Sequence, residues 1–233
     1  MEHIIRDGLT SLSLDPSPAA ALAEYGRALL EKNKVMNLTA ITEPEQVARL
    51  HMLDCAALLN CADFRGKSLI DVGTGAGFPG LVLKILEPTL ELTLLDSLEK
   101  RLTWLAEVCA ALGLEGVRFV HARAEEQAHD PDFRESFDLA TARAVAPMST
   151  LAELCLPYVK VGGRLLAMKS VESAAEVEEA GTAVAKLGGR LEKRYDYDIP
   201  GTQVRHRVIP VAKVSPTLEK YPRRWAKMQK APL

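Results

Sequence analysis

One segment limits the possible topology of this chain more than any other. Ser68-Leu-Ile-Asp-Val72 has the composition of a buried strand, and Gly73, Gly75, Gly77 and Gly80 follow directly. Glycine has no Cβ, so such a turn reaches backbone conformations closed to other residues and lets a ligand approach bare main chain. A second apolar run, Leu92-Thr-Leu-Leu-Asp96, ends in an acid. That acid lies about 20 residues past the turn, the usual spacing of a carboxylate that grips a ribose. Strand, glycine turn, helix and acidic strand end together point to an adenosine-containing cofactor.

The rest of the chain extends this pattern. Ser68–Val72, Glu91–Leu95, Val117–Ala122, Phe137–Ala142 and Gly163–Lys169 read as strands. Leu98–Leu112, Pro147–Leu156 and Glu172–Leu187 read as helices, with glycine stops at Gly113 and Gly188-Gly189. Alternation of this kind builds βαβ units and a parallel sheet. The last two strand-like runs, Arg190–Ile199 and Arg207–Val214, are joined by Pro200-Gly201 without a helix, so they should pair antiparallel. The expected fold is α/β and Rossmann-like, with a mostly parallel seven-stranded sheet closed by an antiparallel C-terminal hairpin. This is the layout of a class I S-adenosylmethionine-dependent methyltransferase.

Upstream, residues 1–60 form an N-terminal helical extension in this reading. Ser17 is a candidate N-cap before Pro18, Asn33–Thr42 is a loop, and Thr42-Glu-Pro-Glu caps a second helix running to about Leu59. Residues 61–219 are the methyltransferase domain, and 220–233 a basic tail.

Composition narrows the function classes. A formal charge of −2 and a pI near 6.2 give no overall basic footprint, so contacts with nucleic acid should be local. No apolar run has the length of a membrane span, and Met1-Glu-His-Ile-Ile-Arg-Asp lacks the pattern of a signal peptide. Cys55, Cys61, Cys109 and Cys155 are scattered, form no C-x-x-C, and read as core hydrophobes in a reducing cytoplasm. No metal site is expected.

Gly75-x-Gly77-x-x-Gly80 also matches the dinucleotide fingerprint, so a nicotinamide cofactor is an alternative. Three features favour S-adenosylmethionine. The length leaves no room for a second substrate domain, no Tyr-x-x-x-Lys pair is present, and the closing hairpin differs from a dinucleotide-binding second half. With that choice, the Gly73–Gly77 main chain lies under the methionine part and Phe78 closes over it, unless Phe78 is simply a core aromatic. Asp96, beside Ser97, takes the ribose hydroxyls, unless it only caps the next helix. Ala124 leaves room for adenine and Glu125 offers polar contacts at its edge, unless that loop is merely exposed and acidic.

Six phrases occur in order: Asn33-x-x-x-Asn37-Leu38-Thr39-Ala-Ile41, His51-x-x-Asp54, Asp71-Val-Gly-Thr-Gly-Ala-Gly-Phe-Pro-Gly80, Leu95-Asp-Ser-x-x-Lys-Arg101, Arg123-Ala-Glu125 and Thr141-Ala-Arg-Ala144. With them the chain resembles the bacterial small-subunit ribosomal RNA methyltransferase family known as RsmG or glucose-inhibited division protein B. The resemblance runs from about Leu29 to Lys169, and more loosely to Val214. It implies methyl transfer from S-adenosylmethionine to N7 of guanine 527 in the decoding region of 16S ribosomal RNA. It also implies cofactor contacts at Gly73, Phe78, Ala124, Glu125 and Arg143, and as partner the small ribosomal subunit or its precursor. A monomer is expected. The tail departs from the family pattern: Tyr221-Pro-Arg-Arg is followed by Trp225-Ala-Lys-Met-Gln-Lys instead of a glycine- and proline-containing basic stretch.

The chemistry fits. Guanine N7 carries a free lone pair, so attack on a sulfonium methyl needs positioning and no general base. After the fourth strand stands Ala142-Arg143-Ala144, with neither the Asn/Asp-Pro-Pro-Tyr of amine methylation nor the Pro-Cys of cytosine C5 methylation. Arg143, Asn37, Arg123 and Lys169 are the positioning candidates. RNA contacts are expected from Lys32, Lys34, Lys100, Arg101, Arg123, Lys169, Arg205, Arg207, Arg223, Arg224, Lys227 and Lys230. His51 reads as a packing residue rather than a base. The same fold would also serve a methyltransferase of another RNA, a protein or a small molecule, and a non-catalytic binding module is a third class.

Overall fold

The computed structural model describes residues 1–233. Eight strands form one sheet: β1 Ser68–Val72, β2 Glu91–Asp96, β3 Val117–His121, β4 Phe137–Arg143, β5 Val159–Ser170, β6 Gly189–Leu191, β7 Tyr195–Asp198 and β8 Arg205–Lys213. Their order is β3-β2-β1-β4-β5-β8-β6, with β7 also on β8. β1 to β5 pair in parallel and β8 runs antiparallel to β5. The expected sixth strand over 190–199 is broken, because β6 and β7 pair with successive parts of β8 and residues 192–194 lie between them. Counting the two pieces as one strand gives the expected seven.

Alternation along each strand supplies two cores. Leu69, Leu92, Leu94 and Leu166 face one side, and Ile70, Leu95, Leu165 and Ala167 the other. The first side is covered by helices α1 Glu2–Ser11, α2 Ala19–Met36, α3 Pro44–Val47 and α4 Asp54–Ala56, and by α5 Gly80–Leu86 and α6 Glu99–Ala111. Short α7 Ala124–Gln127 follows β3. The second side is covered by α8 Met148–Cys155, α9 Ala174–Glu179, α10 Gly181–Lys186 and the C-terminal α11 Trp225–Lys230. The chain crosses from one half of the sheet to the other between β3 and β4. A crevice therefore opens at the carboxyl ends of β1 and β4, where α/β sheets bind ligands.

The N-terminal helices share the sheet's core. Tyr25 on α2 is fully buried, donates from its hydroxyl to the Ala76 carbonyl in the glycine turn, and lies 5.4 Å from Phe78 and 6.3 Å from Trp104. Four sequence expectations need correction. Ser17 does not cap α2: it bonds to the Asp15 carboxylate (2.5 and 2.9 Å), and Pro18 occupies the cap position. The expected loop at Asn33 is helix as far as Met36, because Asn33 bonds forward to Leu38, Thr39 and the Thr39 carbonyl (2.6–2.9 Å) and ties the turn from within the last helical coil. The helix before β1 starts at Glu43-Pro44 without a side-chain cap and passes through a π-helical stretch, Ala48–Leu53. The helix expected at Glu172–Leu187 is likewise split at Ala180 into α9 and α10.

Candidate active site

Asp71 organises the glycine turn. It is the fully buried penultimate residue of β1 and accepts from the Thr74 hydroxyl (2.6 Å) and the Gly80 amide (2.9 Å). Burial pushes its carboxyl up to about 6, against the pull of those two donors. Gly73, Gly75 and Gly77 have φ of +71°, +59° and +91°, which a side chain rarely tolerates. At Gly77 a Cβ would also fall 2.6 Å from the Tyr25 hydroxyl, so the turn and the N-terminal helices fit each other only with glycine there.

A cavity of about 200 Å³ lies against this turn, lined by Val72, Gly73, Leu95, Asp96, Ser97, Ala122, Arg123, Ala124, Glu125, Val145, Leu154 and Trp225. It gathers the ends of β1, β2 and β3 at one point. Asp96 binds the Gly75 amide (2.8 Å), the Leu98 amide (2.9 Å) and Arg101 (3.3 Å). An ionised carboxylate offers about four acceptor positions, so these three donors leave capacity for a ligand hydroxyl. Glu125 is buried and held by Arg123 at 3.2 Å. The first N–H groups of a helix have no partner inside it, and those of Ala124 and Glu125 open α7 beside the cavity. Bare main chain, a carboxylate and apolar walls suit a nucleoside carrying a charged tail.

A second crevice, about 490 Å³, shares no lining residue with the first and meets it along the chain at Ala144 and Val145. Ile41, Leu50, His51, Asp54, Arg143, Ala144, Met168, Lys169, Ser170, Val204 and His206 line it. Ala144 takes a left-handed conformation (φ 57°) at the end of β4, so Arg143 borders the second crevice while Val145 borders the first.

Asp54 holds the second crevice together. It is 1% exposed and accepts from Arg143 (3.0 Å), His206 (2.8 Å) and Tyr197 (2.7 Å). Burial would push its carboxyl up, but the hydrogen bond from His206 and the charge of Arg143 hold it below the usual range. The bond to Asp54 in turn raises His206. His51 stacks on Phe78 with ring centroids 4.6 Å apart, accepts from Arg143 through Nδ1 (3.0 Å) and meets the Thr39 hydroxyl through Nε2 (2.8 Å). Burial, then Arg143, push its imidazole down to about 4, so it stays neutral.

The predicted residues divide accordingly. Gly73, Asp96, Ser97, Ala124 and Glu125 meet around the first cavity, with the positioning candidate Arg123. Gly75 and Gly77 shape the turn without lining it. Phe78 is 5% exposed in the core, under Arg143 (4.8 Å), and does not reach the cavity wall. Its apolar face is absorbed by Tyr25 and His51. Arg143 borders the second crevice and spends its donors on Asp54, His51 and the Leu50 carbonyl (3.2 Å). Asn37 is exposed and left-handed (φ 50°); Asn33 does the ordering expected of it. Lys169 lines the second crevice, held by Glu176 and the Ala146 carbonyl (both 2.7 Å).

Among the expected RNA contacts, two are bound inside the protein. Arg223 makes a two-pronged pair with buried Glu153 (2.7 and 2.8 Å), and Arg207, 4% exposed, does the same with Asp196 (2.8 and 2.9 Å). Lys32, Lys34, Arg101 and Arg205 have acidic neighbours at 2.6–3.7 Å. Lys100, Arg224, Lys227 and Lys230 are exposed. Sequence reasoning did not assign roles to Asp54, His206, Tyr197 or Trp225. A carboxylate inside Met52-Leu-Asp-Cys-Ala-Ala-Leu-Leu59 was a signal for Asp54 alone.

Comparison with known proteins adds a second line of evidence. Residues 19–197 match the family model described as GidB, rRNA small subunit methyltransferase G. The chain is 45% identical over 229 residues to the ribosomal RNA small subunit methyltransferase G of Lachnoclostridium phytofermentans, covering 97% of this chain and 95% of that protein. To the protein of the same name from Clostridium perfringens it is 43% identical over 210 residues, covering 90% and 88%. Among solved structures, TrmN from Thermus thermophilus aligns with a TM-score of 0.54 and 28% identity, over 70% of this chain and 49% of that one. M. jannaschii TYW2, solved in complex with AdoMet, aligns at 0.55 and 13% identity over 70% and 76%, a likeness of fold.

Proposed function

The chain belongs to the GidB family of small-subunit ribosomal RNA methyltransferases G, and from that premise we propose that it methylates N7 of a guanine, guanine 527, in the decoding region of 16S ribosomal RNA. It is an S-adenosylmethionine-dependent enzyme, and the cofactor, when bound, supplies an electrophilic methyl group on sulfur. The observation that carries the reading is the first cavity, where bare Gly73 main chain and the Asp96 carboxylate meet at the switch point of the sheet.

In this reading Gly73 admits the charged methionine part against the backbone, and Asp96 accepts from the ribose hydroxyls. Ala124 and Glu125 face the purine. The target guanine enters by the second crevice, past Arg143, Lys169 and His206. Arg143 acts as a fixed wall and positive charge, since Asp54 and His51 hold it in place. No base is required, because N7 has its lone pair free; neutral His51 is turned toward Thr39 and Arg143 and packs the site. The guanine must leave its stack to reach a pocket at strand ends. The reaction runs in the cytoplasm, on a monomer, with the small subunit or its precursor as substrate rather than short naked RNA.

Mapping 7-methylguanosine in 16S ribosomal RNA from cells lacking this protein tests the assignment. Loss of one modified guanine, restored by the gene, is the expected result. An unchanged map removes it.

A further inference from the structure

The first cavity has a wall that neither strand ends nor glycine turn supplies. Trp225 stands there, brought from the far end of the chain. The segment leading to it is fastened to the domain by a series of polar bonds. Arg134 donates to the carbonyls of Thr217 (2.8 Å) and Tyr221 (3.0 Å), and His129 Nε2 meets the Pro222 carbonyl (2.9 Å). The Arg223 guanidinium and amide both bind Glu153, which is 1% exposed on α8. Beyond Trp225, Met228 is fully buried in the core on that side of the sheet. Trp225 is thus held from both sides, by Arg223 before it and Met228 after it.

Its neighbours suit a flat ring. Ala122 and Ala124 leave space, Leu95, Val145 and Leu154 are apolar, and Arg123 lies 5.8 Å from the indole while bonding to Glu125. An aromatic face next to small apolar side chains is a stacking surface for a base. We propose that Trp225 forms one wall of the purine slot of the cofactor site, so that the C-terminal strap is a working part of that site. This rests on the cofactor reading above and extends it to a segment that the sequence suggested only for RNA contact.

Calorimetry with S-adenosylhomocysteine, joined to tryptophan fluorescence, provides the test. The chain has two tryptophans, and Trp104 is buried between α6 and α2, away from the cavity. Wild-type protein should bind and change its emission. Trp225→Ala should bind roughly tenfold more weakly, the scale of one stacked base. Trp225→Phe, which keeps an aromatic wall, should bind within a few-fold of wild type but lose the emission change. An emission change that persists in Trp225→Phe overturns the inference, as does Trp225→Ala with wild-type affinity. If Trp225→Ala fails to fold, Trp225→Phe still decides through its fluorescence. Wild-type protein that binds no S-adenosylhomocysteine would sink the cofactor reading and this inference together; normal wild-type binding with an unaffected Trp225→Ala sinks only this inference.

Discussion

The Asp71 carboxylate accepts from the Gly80 amide at 2.9 Å, so the end of the first strand is bolted to the start of the helix across the whole glycine turn. The fit leaves no room for a side chain: a Cβ at Gly80 would lie 2.8 Å from the same oxygen. The carboxyl is also fully buried, and its proton is held up to about 6.

That value fixes a pH dependence. An acid whose folded pKa exceeds its unfolded value, here about 6 against 3.8, binds more protons folded than unfolded between those values. Its contribution to stability is therefore greatest below about pH 4 and declines as pH rises toward 6. Asp71→Asn keeps one oxygen for Thr74 and Gly80 and cannot ionise. Urea denaturation from pH 4 to 7 should show this component of the slope vanish in the variant. An identical pH profile in both proteins would mean that Asp71 is ionised throughout.

Asp96 does two things at once, binding the Gly75 and Leu98 amides and facing the cavity. Asp96→Ala removes both and should weaken S-adenosylhomocysteine binding by roughly 1.5–3 kcal/mol, the scale of hydrogen bonds to a charged group. Asp96→Asn retains an acceptor and should lose less. Calorimetry on the pair separates ligand contact from loop support. Equal affinity in all three proteins would place the ribose elsewhere.

What the sequence revealed follows from how locally each feature is encoded. The strands could be read because each is an apolar run ended by a turn, and the first cavity because Gly73 and Asp96 stand at fixed spacing at the ends of two adjacent strands. Of the second crevice, Arg143 and Lys169 could be read, but not the cluster that holds it together. Tyr197 and His206 face each other across the closing strands, but Asp54 and Arg143 come from two other, distant segments, and all four meet only when the N-terminal helices pack on the sheet. Phe78 was placed at the ligand because it follows the turn, but Tyr25 and His51 claim its face from another part of the chain. The tail was legible as basic, not as a strap, since a charge shows in composition and its buried partner Glu153 does not.

The Asp54 cluster should have its own pH signature. Asp54 is lowered, so its share of stability is present above the ordinary carboxylate range and lost as pH falls through its native value. His206 is raised, so its share is complete below about pH 6.5 and lost as pH rises through its native value. His206→Gln should abolish the alkaline decline and shrink the acid one, since the bond from His206 is part of what holds Asp54 down, alongside Arg143 and Tyr197. Asp54→Ala strands the Arg143 charge and should cost about 3–5 kcal/mol. Denaturant titration reads both, and an Asp54→Ala protein as stable as wild type would show that the cluster adds nothing to folding.

Two neighbouring arginines in the tail should behave oppositely. Arg223 is committed to Glu153, so Arg223→Ala leaves a buried carboxylate unpaired and should lower stability by about 3–5 kcal/mol. Arg224 is exposed, so Arg224→Ala should leave the melting temperature unchanged. If Arg224 touches a phosphate, its removal weakens binding to subunit RNA and reduces the slope of log affinity against log salt by about 0.7. Binding measured from 50 to 200 mM salt, with melting curves on the same samples, distinguishes the two. A drop in salt slope for Arg223→Ala at unchanged stability would reverse the assignment, because it would mean that the bond to Glu153 gives way and the guanidinium reaches the RNA.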